Sequence, residues 1–497
     1  MERLIRLPIT IWIFLLSTIY YGVLSAKTYT WVFISSDSGD WLAASNMWLV
    51  PQPYGSPLYI LLGQFLNLFP GDLVIKMTII LSVIPSAVTV MLIYLIVRKM
   101  TNKQGIAVAS SLVLLGSAIF LTQSTILEEY ALTTMLLTLS FWTYINNRRL
   151  LTALCWGLAV AIHVFVLGAI LFWLIIEWRR YTKPLMVVTL PLVAVFYGFI
   201  LLLMYLDTPR LLAGGLNVYS LKQYLTVTTG AILGQLSMFD APKRLLLTSQ
   251  LLLMSFGVAS VPLLKSIKKP ISKPIAVMLG IILWTYWYQI TNIDVASWTF
   301  ITYASPSIAI LVGIGLSHMK VFHLKVVVVG ALILIVVNGM FLNANKLTNE
   351  KPLATDYYEA LQALPDGSIV LASSGSHSLG LYYAMSEGKD LVPLIYPYLD
   401  DWEFWDYYTW LQNNYDYRHS NKDRGIIEPS TFDTIAANIY TTLLEPGYEG
   451  RGVEVYYAST PWRQSDTRRC LVLEDTEWTQ IKKVTGLTGL EPEPFVK

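Results

Sequence analysis

In a chain of 497 residues, 55% hydrophobic side chains and only 14% charged ones leave too little charge for a soluble globular protein, where about a quarter of residues are charged. With 35 Lys and Arg against 33 Asp and Glu, a net charge of +2, composition makes no case for nucleic-acid binding. A mean hydropathy of +0.53 and repeated apolar runs of about 17–25 residues predict a polytopic α-helical membrane protein with some soluble mass attached. Cys155 in an apolar run and Cys470 in the polar tail suit neither a disulfide nor a thiol metal site.

The first apolar run, residues 8–26, follows Arg3 and Arg6 and is predicted as a retained first helix rather than a cleaved leader. Behind it lies an outer loop, 27–72, that opens with Ser36-Asp37-Ser38-Gly39-Asp40 and continues with Pro51-Gln52-Pro53-Tyr54-Gly55-Ser56-Pro57-Leu58-Tyr59. Asp37 and Asp40 are spaced to share one face of a helical turn. Helix capping by Ser36 or Asp37, with Asp40 favoured by the helix dipole, accounts for them structurally. Their place at the lipid boundary supports a second reading. A carboxylate near hydrocarbon is costly to ionise, its pKa rises, and it then suits a general base acting on a hydroxyl. Residues 41–50 and 57–69 are short and amphipathic, fit to lie along the interface, with the prolines and Gly55 as a stiff turn between them.

Further helices are predicted near 73–97, 105–122, 130–146, 184–206, 245–264, 275–291, 301–317 and 325–343. The stretch 150–178 has Arg148-Arg149 at one end and Arg179-Arg180 at the other, so it enters and returns on one side. It is too short for two crossings at about 1.5 Å per residue, and two half-depth helices meeting near His163 satisfy both facts, with a single long helix and an inverted loop as the alternative. The fold expected is about 11 membrane segments, counting that hairpin. Lys and Arg clusters place the N-terminus in the cytoplasm and everything after Asn343 outside, with Lys243-Arg244 as an outer exception. On that outer side lie Glu128, Glu129 and Tyr130, then Asn292 and Asp294. Helix-terminal charge and turn formation are the structural alternatives for these. Lys76, Lys243 and Arg244 are outer cations; snorkelling to headgroups is their ordinary role, and holding an anionic leaving group the functional one. His163, at the hairpin apex, is more often structural than a ligand. No His, Asp and Glu pattern has metal-ligand spacing, so neither metal nor cofactor is expected.

From Glu350 the composition turns polar. Helices are predicted over 357–364, 379–386, 405–414 and 432–444, and strands over 368–372, 391–396, 453–458 and 470–473. That alternation predicts an extracytoplasmic α/β domain with a parallel sheet over 344–497, behind a membrane domain over 1–343.

The motifs together resemble the bacterial GT-C membrane glycosyltransferases related to protein O-mannosyltransferases and to transmembrane protein 260. The resemblance rests on Asp37-Ser38-Gly39-Asp40, on Gln52-Pro53-Tyr54-Gly55-Ser56-Pro57-Leu58-Tyr59, on Glu128-Glu129-Tyr130-Ala131-Leu132, on Gly157-Leu158-Ala159 with His163, and on Asn292-Ile293-Asp294-Val295. In the tail it takes in Pro365 to Val370, Leu381-Tyr382-Tyr383 and Asp390-Leu391-Val392. Asp40 stands where the family usually has Glu, and Gln52 where it often has His. The resemblance implies inverting transfer of a sugar, with mannose as the relatives' case, from a polyprenyl-phosphate donor to an acceptor hydroxyl on a protein or glycan at the outer face. It implies Asp37 as the first choice of base and Asp40 as the second. Glu128, Tyr130, Gln52, Tyr54, His163, Asn292 and Asp294 then bind substrate, and Lys76, Lys243 and Arg244 offset the donor phosphate. A transporter or flippase of lipid-linked sugars, or a non-catalytic membrane scaffold, are the competing expectations.

Overall fold

The computed structural model describes residues 8–25, 38–47, 56–205, 271–291 and 295–348, short stretches between 245 and 263 and between 359 and 395, and the strands 455–458, 471–475 and 481–487. The described residues fall into two compact units. One gathers those of 8–25, 56–202 and 245–348, and the other those of 38–47 and 359–487.

The first unit is helical, and its polarity is inverted relative to a soluble protein. On helix α1 (Ile9–Ser25) Leu16, Ile19 and Val23 face outward while Ser17, Tyr21 and Ser25 are buried. Small hydroxyl residues line the helix contacts. Ser111 Oγ donates to the Val90 carbonyl at 3.1 Å, and the Thr143 and Thr152 hydroxyls meet at 3.0 Å. In lipid this is the stable arrangement, because apolar tails solvate outward aliphatics and small residues let helices approach closely. Leu73–Thr101, Val166–Leu202 and Val321–Leu342 are each long and apolar enough to cross a membrane. The chain is thus a multi-pass integral membrane protein.

Prolines shape these helices. The π-helical stretches Thr78–Val83 and Leu185–Thr189 run up to Pro85 and Pro191 respectively. A proline lacks the N–H that an α-helical ladder needs and crowds the carbonyl one turn back, so the ladder widens there instead of breaking. A sharper device bends the pair Gln104–Leu115 and Ala118–Thr125 by 66°. The bend frees the Gly116 carbonyl, which accepts the Asn338 side-chain amide at 2.7 Å. A Cβ at Gly116 would lie 3.0 Å from the Ala331 carbonyl oxygen, so the position favours glycine. Asn338→Leu strands that carbonyl away from water. It is expected to lower unfolding stability by about 1–3 kcal/mol, measured by thermal unfolding of the detergent-solubilised protein.

The hairpin anticipated near His163 is present in outline. Helix α2 (Arg149–Ile162) ends at His163, and helix α3 (Val166–Pro184) starts three residues later. Glu177 interrupts the second helix at φ −123°, ψ 28°. There the chain has returned to the level of the turn that begins the hairpin, since the Tyr144 hydroxyl donates to Glu177 Oε1 at 2.9 Å and Arg180 donates to Asn147 Oδ1. Beyond the kink the chain climbs again beside Arg149–Ile162. Thr189 Oγ1 donates to the Ala153 carbonyl at 2.8 Å, and the Tyr197 hydroxyl to that of Val160 at 3.0 Å. The separate helix predicted near 184–206 is therefore present, and the chain reverses at Glu177, just ahead of the basic turn expected at 179–183.

In the second unit, helix Ser38–Met47 is tied to the tail by Asn46 Nδ2, which donates to Glu387 Oε1 at 3.1 Å. Strands β1 (Ser368–Ala372), β2 (Leu391–Ile395), β3 (Val455–Ala458), β4 (Leu471–Asp475) and β5 (Ile481–Leu487) form one sheet in the order β2-β1-β3-β5-β4. The β2, β1 and β3 strands are parallel, but β3–β5 and β4–β5 are antiparallel. The wholly parallel sheet expected from the sequence is corrected here. The short link from Asp475 to Ile481 has no room for a crossover and can only return the chain as a hairpin. The predicted helices 405–414 and 432–444 lie outside the described residues.

Candidate active site

Of the sequence-derived site residues, Asp37, Gln52, Tyr54, Lys243, Arg244, Asn292 and Asp294 lie outside the described residues. Asp40 falls on helix Ser38–Met47, in the second unit. Lys76 is half-buried in the first turn of the helix that Asp72 caps, and its ammonium donates to the Phe69 carbonyl. An ammonium has three donors, so this bond leaves it able to take an anionic oxygen as well.

The remaining candidates converge at the end of the bundle opposite the Arg148-Arg149 turn. Helix α4 (Tyr130–Ile145) starts with Glu129 at its N-cap, where the Glu129 carbonyl accepts from both the N–H and the hydroxyl of Thr133 at 3.1 and 2.8 Å. Glu128 and Glu129 are 2% and 0% exposed. The helix N-terminus offsets part of what it costs to bury them. Glu129 Oε1 lies 3.5 Å from His163 Nε2, joining the first turn of this helix to the apex of the hairpin. The Phe165 backbone N–H donates to His163 Nδ1 at 3.3 Å, which leaves the ring proton on Nε2, facing the carboxylate.

Aromatic rings close around the pair. The Tyr130 ring lies 5.6 Å from His163, 5.5 Å from Phe300 and 5.7 Å from Tyr303, while Phe165 lies 4.3 Å from Tyr288. Phe300 and Tyr303 come from the 3₁₀ helix Val295–Tyr303, which directly follows the Asn292–Asp294 segment. The segment that begins at Ser56 also contributes. Tyr59, on the short helix Pro57–Asn67, is fully buried, and burial followed by the charges of Glu129 and Glu128 pushes its phenol pKa well above the ordinary value. Just ahead of it, buried Ser56 holds a left-handed backbone at φ 38°, ψ 55°, a conformation that costs a non-glycine residue energy and recurs at functional sites.

Three separate sequence motifs therefore meet in one place: Pro-Leu-Tyr through Tyr59, Glu-Glu-Tyr through Glu128 to Tyr130, and the helix break through His163. Sequence reasoning named Glu128, Tyr130 and His163 as site residues. Tyr59 and Glu129 were visible only as members of motifs, and Phe300 and Tyr303 carried no signal of their own. Among the described residues no three His, Cys, Asp or Glu side chains gather as a metal site.

Residues 37–185 match the family described as the protein O-mannosyl-transferase TMEM260 N-terminal domain. That stretch is similar to the N-terminal domain of a protein O-mannosyl-transferase. The matched stretch begins at Asp37 and takes in Asp40, Tyr59, Lys76, the Glu128-Glu129 pair and His163. The fold is similar to that of ArnT from Cupriavidus metallidurans bound to undecaprenyl phosphate, with a TM-score of 0.59 at 10% identity over 94% of this chain and 97% of that one. It is also similar to ArnT from the same organism in the apo state, with a TM-score of 0.51 at 11% identity over 95% and 97%. At such identities the likeness is one of fold. No curated protein sequence matches the chain.

Proposed function

We propose that this chain transfers a sugar, mannose in the first instance, from a polyprenyl-phosphate donor to an acceptor hydroxyl on a protein or glycan at the outer membrane face. The observation that carries the reading is the convergence of Tyr59, Glu128, Glu129 and His163 at one end of the bundle, all within the region matched to an O-mannosyltransferase family. A fold shared with a protein that binds undecaprenyl phosphate supports a lipid-phosphate donor.

In the proposed reaction Asp37, with Asp40 as the second choice, accepts the acceptor's hydroxyl proton as its oxygen attacks the anomeric carbon. The bond from that carbon to the phosphate oxygen breaks, the configuration inverts, and the polyprenyl phosphate leaves with both electrons of the broken bond. Lys76, Lys243 and Arg244 offset the charge on the departing phosphate. Glu128, Tyr130, Gln52, Tyr54, His163, Asn292 and Asp294 line the sugar and acceptor positions. No cofactor is required, because the phosphate ester itself is the activated donor. The N-terminus is cytoplasmic, and the polar region after residue 343 faces outward.

The test uses purified protein in vesicles with undecaprenyl-phosphate [³H]mannose and threonine-containing peptides. Label joined to peptide supports transfer, whereas label moved across the vesicle wall with no new glycosidic bond identifies a transporter. Orientation is checked separately. A periplasmically active reporter fused after Asn343 is expected to be active, and the same reporter after Arg180 silent; the reverse pattern would invert the topology.

A further inference from the structure

Glu129 was not assigned a task above, and His163 was assigned only a place in the wall. The geometry points to a single device: Glu129 and His163 form a strut that locks the hairpin apex to the first turn of helix Tyr130–Ile145 and so positions Glu128 for the acceptor. This inference rests on the glycosyltransferase reading and adds to it a positioning pair.

Each ring nitrogen of His163 has a neighbour in the protein. Nδ1 of His163 accepts the Phe165 N–H, and Nε2 points at Glu129. Nδ1 is thus engaged by the backbone, Nε2 stands 3.5 Å from the Glu129 carboxylate, and the ring faces are covered by Tyr130, Phe300 and Tyr303. An imidazole so placed turns its Nε2 edge to the carboxylate and its faces to aromatic rings. What it can do is transmit position. His163 lies in the non-helical link between Ile162 and Val166, where the backbone makes no continuous helical ladder to fix it. The Glu129 carboxylate is the anchor. It sits on a backbone held by Thr133 at the rigid start of a helix, adjacent in sequence to buried Glu128. A shift at the apex therefore reaches Glu128 through one side chain and one peptide bond. Held in this way, Glu128 meets the acceptor with its orientation already set, which is how a positioning group contributes to rate.

Glu129→Leu removes the anchor, and Glu129→Gln keeps an acceptor oxygen in the same place. With undecaprenyl-phosphate [³H]mannose and a threonine peptide, Glu129→Leu is expected to raise the peptide KM at least tenfold with kcat and donor KM within threefold. Glu129→Gln should stay within threefold throughout. Mere loss of folded enzyme would lower kcat and leave KM alone. The double variant Glu128→Gln/Glu129→Leu should be no worse than Glu128→Gln. Multiplying losses, an unchanged peptide KM in Glu129→Leu, or a Glu129→Gln variant as poor as Glu129→Leu would each overturn the strut. Hydrogen exchange on the unreacted protein gives a readout that needs no turnover. Glu129→Leu should speed exchange over residues 126–134 and 160–168 together, while Glu128→Gln speeds neither, and protected segments in Glu129→Leu overturn the inference. Failure of the wild-type chain to use the donor strikes the glycosyltransferase reading instead and leaves the exchange result standing.

Discussion

Replacing Asp37 by Asn is expected to reduce sugar transfer by about 10²–10⁴-fold, the span that a positioned general base contributes. Asn has the shape of Asp but does not take up a proton at neutral pH, so the substitution removes the chemistry and keeps the volume. The acceptor hydroxyl is a poor nucleophile until its proton begins to leave, and the loss should therefore appear in kcat, with donor binding retained. Asp40→Asn is the necessary comparison. These two carboxylates are three residues apart, and if both retain a place in the site the weaker variant identifies the base. A fall of that size in Asp40→Asn with nearly normal turnover in Asp37→Asn moves the role to Asp40. Normal turnover in both would end the proposed mechanism. Lys320→Gln, at a predicted cytoplasmic turn, serves as the control and should transfer sugar at the wild-type rate.

The second large effect is structural. Gly168 stands just beyond the hairpin apex, and a Cβ added there would lie 2.1 Å from the Trp284 ring, far inside van der Waals contact. Trp284 cannot simply swing aside. It is buried at 8% exposure, and its indole N–H donates to the Phe165 carbonyl at 3.1 Å. Gly168→Ala must therefore displace the ring, at about 1–3 kcal/mol for overpacking, and lose the indole's bond to the Phe165 carbonyl, which keeps the residue-168 N–H, at about another 0.5–1.5 kcal/mol. Thermal unfolding in detergent should register a marked loss of stability. A cycle with Trp284→Leu isolates the cause, because Gly168→Ala should cost little once the indole is gone. Equal costs in both backgrounds would show that the indole is not the obstacle.

Several features were legible in the chain before any tertiary information. Arg148-Arg149 and Arg179-Arg180 around a run too short for two crossings announced a half-depth hairpin, and the helix break does fall at His163. Charge near the ends of apolar runs and run length are local quantities, so they survive in the sequence. The sheet was harder. Strands 368–372 and 391–395 showed as buried β-branched and aliphatic runs, but 481–487 was missed because Lys482-Lys483 interrupts its alternation. The direction of β4 and β5 depends on the length of the link between them, which a strand-by-strand reading does not weigh.

At the site the division is sharper. The candidate residues, Asp37 and Asp40 after the first apolar run, Glu128 and Glu129 ahead of another, and the Pro57-Leu58-Tyr59 motif, were legible as one-dimensional pattern, because hydropathy and turn chemistry act between near neighbours. The partnership of Glu129 with His163, the burial of Tyr59 beside two carboxylates, and the arrival of Phe300 and Tyr303 were decided only by the tertiary fold. Those contacts depend on how far each helix is rotated about its axis and where each bend falls. Rotation and bend are set by packing against neighbours such as Trp284 and Asn338, at positions distant in sequence, and no local pattern records them.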